Sequence, residues 1–154
     1  MDTSGHIRFV AEDTLGRLAK WLRLLGFDTV YEREPFAKRM QGGGRIRLTR
    51  TREVYQKNRP GRVLFIDADG YMKQIRQVVD ELDLSLSDIQ PFTRCIRCNG
   101  PIRPTDKNGV FGQVPDYIWE TNETFKQCIN CDRIYWPGSH TKQSMDRIRS
   151  LFRR

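Results

Sequence analysis

The 154-residue chain has no apolar run approaching the roughly 18 residues that a membrane-spanning helix needs, so none is expected. It opens Met1-Asp2-Thr3-Ser4-Gly5-His6, without a basic-then-apolar pattern, which predicts a soluble protein in the reducing cytoplasm. The triple glycine Gly42-Gly43-Gly44 is not followed by Gly-Lys-Ser/Thr, so it reads as a flexible turn and not as a phosphate loop. No internal repeat stands out. Histidine is scarce: His6 falls in a frayed end, and His140 is discounted as a metal ligand because four thiols already complete a tetrahedral set. Cysteine is scarce too, and its placement leaves none over as a nucleophile.

The four cysteines form two couplets, Cys95-Ile96-Arg97-Cys98 and Cys128-Ile129-Asn130-Cys131, with 29 residues between Cys98 and Cys128. Each turn curls two sulfurs toward one point, which is the requirement of a structural tetrathiolate zinc site. Buried free thiols, two disulfides or an iron-sulfur centre are the alternatives. Disulfides suit dense secreted scaffolds better than four cysteines in a chain of this length. The couplets also divide the chain. Residues 6–90 can bury a core of their own, 91–140 need the metal to hold shape, and 141–154 form a basic C-terminal tail, open to a helical reading, with a small apolar stripe at Ile148, Leu151 and Phe152.

The net charge is +8, with basic residues ahead of acidic ones by 16 to 13 in residues 1–90 and by 11 to 6 in 91–154. An excess spread over both parts suits a polyanion, nucleic acid before membrane, since no amphipathic anchor accompanies it.

In the first part, residues 7–11 read as a strand. Leu15, Leu18, Ala19, Leu22 and Leu25 then recur at helical spacing, with Arg17, Lys20 and Arg23 turned elsewhere. Asp13 or Thr14 is expected to cap that helix and Gly26 to stop it. Residues 27–31 have strand composition, which completes a strand, helix, strand crossover. A short helix is expected over 34–40, a strand over 45–48, a helix over 49–57, a turn at 58–61, an apolar buried strand over 63–66 and a helix over 71–82. This is an α/β domain with a small parallel sheet. Residues 83–93 read as a linker, and short hairpins are expected around Gly109-Val110-Phe111-Gly112 and Val114-Pro115.

Ligands of an open parallel sheet gather beyond the carboxyl ends of its strands. Glu12 and Asp13, residues 49–53, and Asp67 with Asp69 fall there. Converging carboxylates would hold Mg²⁺ or Mn²⁺ for phosphodiester hydrolysis. The bland alternative makes Asp13 and Asp69 ordinary helix caps. Seven cations (Arg45, Arg47, Arg50, Arg52, Lys57, Arg59 and Arg62) stand against one acid, Glu53, between 45 and 62, an arrangement that would hold a phosphate backbone beside an acidic centre. Tyr135-Trp136 either stacks on a base or braces the cysteine module. Trp21 reads as a core or domain-contact residue, and Trp119 has no assignable role.

Arg8-Phe9-Val10-Ala11-Glu12, the run from Leu15-Gly16-Arg17-Leu18 through Leu25-Gly26-Phe27-Asp28-Thr29, Leu48-Thr49-Arg50, and both cysteine couplets with their flanks (Arg94 and Asn99, then Asp132 to His140) resemble the Mut7-C family. The resemblance covers about residues 7–140. It implies a PIN-like α/β sandwich fused to a zinc ribbon, ribonuclease activity, and acidic metal ligands at the sheet's carboxyl edge. Two departures bear on that activity. The family's first acid, usually aspartate, matches Glu12, one methylene longer. Its Leu-Thr-Arg-Asp motif appears as Leu48-Thr49-Arg50-Thr51, a hydroxyl where the family carries a charge. A further family acid has no secure match, with Glu32 and Glu34 nearby. Two readings follow: a metal-dependent ribonuclease using Glu12, Asp13, Asp67 and Asp69, or a catalytically inactive protein that binds structured or ribosomal RNA through its basic patch and ribbon. An adaptor that binds protein through the ribbon is a third.

Overall fold

The computed structural model describes residues 7–33, 44–58 and 62–153. The helix expected over 34–40, most of the triple glycine, part of the 58–61 turn, and His6, Glu34 and Arg59 lie outside the described residues.

Four strands form a parallel sheet: β1 (Arg8–Ala11), β2 (Asp28–Tyr31), β3 (Ile46–Thr49) and β4 (Val63–Phe65), in the order β2-β1-β3-β4. Alternation along each strand decides its faces. Phe9 and Ala11 of β1 and Leu48 of β3 point into the main core, while Val10 of β1 and Val30 of β2 pack together on the opposite face. The core is closed by α1 (Gly16–Leu24), α3 (Tyr71–Glu81) and α5 (Ser139–Leu151). Leu18 and Leu22, Ile75, Val78 and Val79, and Ile148 and Leu151 supply their buried stripes. Burying each such side chain contributes on the order of 2 kcal/mol. The basic C-terminal stretch is therefore mostly the helix that its apolar stripe allowed, and it returns to the first core.

Several local expectations change. The first helix begins as a 3-10 turn over Asp13–Leu15, and neither Asp13 nor Thr14 caps it through its side chain. Gly26 does end α1, at a φ of +98°, and a Cβ there would come within 2.4 Å of the Gln90 carbonyl oxygen. Arg23 is not turned outward. It is 3% exposed, because its Nε donates to the Thr29 carbonyl and its Nη1 to the Ile96 and Arg97 carbonyls. The helix expected over 49–57 shortens to α2 (Arg52–Gln56), since Thr49 completes β3. The 83–93 linker is tied down: Gln90 and Phe92 amides donate to the Leu25 and Leu24 carbonyls.

The cysteine module is an antiparallel sheet of β5 (Ile102–Thr105), β6 (Phe125–Cys128) and β7 (Ile134–Tyr135). In place of the hairpins expected between the couplets stand a 3-10 turn over Lys107–Val110 and the helix α4 (Asp116–Thr121). Trp119 and Trp136 pack on Val110, Val114 and Phe125 there, and Trp119 Nε1 donates to the Lys107 carbonyl, which gives that residue its role. Among the described residues no helix is long and apolar enough to cross a membrane.

Candidate functional site

The strand order fixes where a ligand would lie. The chain leaves β1 toward β2 on one side and leaves β3 toward β4 on the other, so a crevice opens between the carboxyl ends of β1 and β3. Glu12 sits at that point, its amide bonded to the Leu48 carbonyl across the two strands.

Its carboxylate is densely partnered. Oε1 accepts from the Thr51 hydroxyl at 2.6 Å, and Oε2 accepts from the Arg50 amide at 2.6 Å and the Thr49 hydroxyl at 3.1 Å, with Thr14 at 3.4 Å. Burial alone would raise the Glu12 pKa, but the Thr51, Arg50 and Thr49 hydrogen bonds and the nearby Arg47 charge outweigh it and hold the carboxyl below its usual range. Two neighbouring acids are drawn to arginines. Glu32 takes Arg47 Nη2 at 2.7 Å and accepts from the Asp13 amide, so this acid after β2 joins the rim of the crevice. Asp69 takes Arg50 Nη2 at 2.9 Å, while Arg50 Nη1 donates to the Ala68 carbonyl. The Asp69 side chain is 93% exposed, so the pair holds Arg50 in place more than it adds stability. Asp13 and Asp67 are exposed, and Asp69 is not a helix cap, since Gly70 occupies that position of α3.

The basic candidates divide the same way. Arg45 faces inward, its side chain 4% exposed and bidentate to Asp28 at 2.8 and 3.2 Å. Arg47 and Arg50 are committed to acids, Arg52 lies over the Phe65 ring at 4.8 Å, and Lys57 is exposed. The structure brings Glu12, Asp13, Glu32, Arg47, Arg50 and Asp69 into one connected edge and leaves Arg45 out of it.

Thr51→Val tests how the pocket is held. A folded-state pKa below the unfolded value of about 4.3 contributes stability that is present above that pH and lost as pH falls through the folded pKa. The variant should lose about 1 kcal/mol at pH 7 in urea titration, with the difference fading under acid. A loss independent of pH would show that the hydroxyl contributes only packing.

The four cysteine sulfurs lie within 4.8 Å of one another, and among the described residues they are the one group of three or more Cys, His, Asp or Glu side chains arranged to hold a metal. Cys95 is pushed up by burial but drawn down to about 7 by bonds that include one from the Tyr135 hydroxyl, 3.0 Å from its sulfur. Burial and neighbouring thiols push Cys98 up to about 12. Tyr135 thus braces the module through the contact of its hydroxyl with the Cys95 sulfur. His140, in the first turn of α5, is exposed and outside the group.

Asn99 was not singled out as functional, although it directly follows the first couplet. Held at a φ of +72°, it accepts from the Thr29 amide through Oδ1 and donates to Asp28 through Nδ2, joining the cysteine module to β2.

A family model described as Mut7-C RNAse domain matches residues 7–148, spanning the crevice and all four cysteines. The chain belongs to that family. No curated protein matches the chain. As a Mut7-C domain it pairs an α/β fold and a small parallel sheet with a four-cysteine cluster able to take a metal ion.

Proposed function

We propose that this Mut7-C domain binds RNA through the carboxyl edge of its parallel sheet without cleaving it, and that the four cysteines hold structural zinc. The observation that carries the first part is the Glu12 carboxylate, whose two oxygens already accept from Thr51, Thr49 and the Arg50 amide, while Arg50 and Arg47 neutralise Asp69 and Glu32. A Mg²⁺ or Mn²⁺ ion needs several hard oxygens with lone pairs free toward one point. Here hydroxyls, an amide and guanidinia take up most of the capacity of Glu12, Glu32 and Asp69, and Asp13 and Asp67 stand exposed, so the donor set fits the ion poorly, and the hydroxyl of Thr51 adds none of the negative charge that a carboxylate would. What remains for a phosphate is Arg52 and Lys57, both exposed just beyond β3, in a protein with net charge +8. Four thiolates are the soft tetrahedral donor set that zinc prefers, and they leave no open position for catalysis.

A second reading, a metal-dependent ribonuclease using Glu12, Asp13, Asp67 and Asp69, is favoured by the family match and by a Glu12 held ionised at the switch point. One experiment separates the two. Single-stranded and structured RNAs are titrated by fluorescence anisotropy across a salt series, and the same RNAs are incubated with Mn²⁺. We expect salt-dependent binding, weakened in the Arg50→Ala, Arg52→Ala double variant with a slope reduced by about one per lost phosphate contact, and no cleavage. Mn²⁺-dependent cleavage that disappears in Asp67→Ala would establish the ribonuclease instead.

A further inference from the structure

Several of the described arginines pair with acids. Arg76 pairs with Asp80 and Arg149 with Asp146, as Arg45, Arg47 and Arg50 do with theirs. Arg17 and Arg147 differ. Both are exposed, and among the described residues neither is in an ion pair, yet both converge on one side chain, Tyr71. The Arg17 guanidinium carbon stands 4.2 Å from the Tyr71 ring centroid, and Arg147 Nη1 donates to the Tyr71 hydroxyl at 3.0 Å. Trp21 stacks on the same ring at 5.9 Å and 22°, which fixes the phenol's orientation. Three helices therefore meet at this point: α1 brings Arg17 and Trp21, α3 begins with Tyr71, and α5 brings Arg147.

We propose that Arg17 and Arg147, held by Tyr71, form a second phosphate-binding point for an RNA backbone, continuous with the crevice edge. This rests on the RNA-binding reading above and extends it. Two guanidinia gathered around one phenol repel each other and leave most of their donors unused. A phosphodiester oxygen pair supplies what is missing, an anion that accepts from both forks. A ring that holds the cations by cation–π contact and a hydrogen bond lowers the entropy lost when they grip. Position supports the same partner. Arg17 lies in the first turn of α1 after β1, and Tyr71 directly follows the Asp69-Gly70 turn whose Asp69 holds Arg50. The point thus sits at the N-terminal ends of α1 and α3, which follow the carboxyl ends of β1 and β4. Docking of α5 into the core then has a functional consequence, since it carries a cation to that edge.

The test compares three proteins in RNA anisotropy across a salt series: wild type, Arg17→Gln with Arg147→Gln, and a charge-matched control, Arg103→Gln with Lys126→Gln, whose side chains are exposed on the sheet of the cysteine module. The arginine variant should bind about ten-fold more weakly at low salt with a slope shallower by about two, and the control should change less than about two-fold. Equal weakening in both would mean that only the general field acts, and the site would fall. Wild type is also cross-linked to 4-thiouridine-labelled RNA, so the result does not rest on the variants folding. Adducts on peptides carrying Trp21, Tyr71 or Arg147 are expected, and their absence from all three overturns the proposal. If wild type binds no RNA, the functional reading falls with it. If wild type binds and only the Arg50, Arg52 variant is weakened, the second point alone is lost.

Discussion

Stripping the proposed zinc from the Cys95, Cys98, Cys128 and Cys131 centre is expected to unfold the cysteine module while the parallel sheet persists. The reason is the size of the two cores. The α/β core gathers Phe9, Leu18, Leu22, Leu48, Ile75, Val78 and Ile148 among its fully buried members. The module has one cluster built on Cys95, Ile102 and Cys128, and another on Val110, Val114 and Phe125. Two of the three buried residues in the first of these are themselves candidate ligands, so the metal site and the core of the module are one object. Structural zinc contributes on the order of 10 kcal/mol to domains of this kind, more than such clusters supply unaided. Cys128→Ser should therefore give a protein whose Trp119 and Trp136 fluorescence shifts toward that of exposed tryptophan and whose chain is cut by protease between 94 and 136. Chelation of wild type should do the same and should expose four reactive thiols. Retention of the native emission and of protease resistance after complete chelation would sink this account.

How much of this was legible in the sequence varies with the kind of signal. Side-chain periodicity reports local burial, so the four strands and the main helices could be read from Phe9, Leu22, Leu48 and Val78 recurring at intervals of two or three to four. Spacing reports ligand geometry, so the couplets could be read as a metal site before any fold was known. Hydrogen bonds over long separations leave no such trace. Arg23 looks like an exposed cation on a helical wheel, yet 73 residues away the Ile96 carbonyl needs a donor, and that need decides its placement. The crevice falls between the two cases. Its position followed from the order of strands and helices, and the consequence of Thr51 followed from resemblance to a motif. That Thr51 turns its hydroxyl onto Glu12, and that Arg50 reaches Asp69, are facts of three-dimensional placement that the residue types alone leave open. The hairpins expected around Gly109 and Val114 failed because glycine and proline mark turns without saying what the turns join; here they flank a 3-10 turn and α4.

Asp28→Ala is expected to destabilise the junction between the parallel sheet and the cysteine module strongly. Asp28 is where the two parts of the chain are joined. It accepts from Nη1 and Nη2 of Arg45 and from Nδ2 of Asn99 at 2.7 Å, while Asn99 Oδ1 in turn accepts from the Thr29 amide. Removing the carboxylate leaves Arg45, 4% exposed, as a buried charge without its anion. Breaking a buried pair in this way costs about 3 kcal/mol. Burial alone would raise the Asp28 pKa, but the Arg45 and Asn99 hydrogen bonds and the charges of Arg45 and Arg94 hold it below the ordinary aspartate range. A depressed carboxyl contributes stability that is present above its unfolded pKa of about 3.9 and is lost as pH falls through its folded pKa. The wild-type advantage over Asp28→Ala should therefore be full at pH 7 and shrink as the acid limb is entered, because protonation then does to wild type what the mutation does at neutral pH. Urea unfolding at several pH values measures both effects. Pairing Asp28→Ala with Asn99→Ala in a double-mutant cycle should return a coupling of about 1 kcal/mol or more, since the two side chains share one network. A loss below about 1 kcal/mol, unchanged between pH 7 and the acid limb, would mean that Arg45 finds another anion and that the junction is held by Arg23 and its carbonyls.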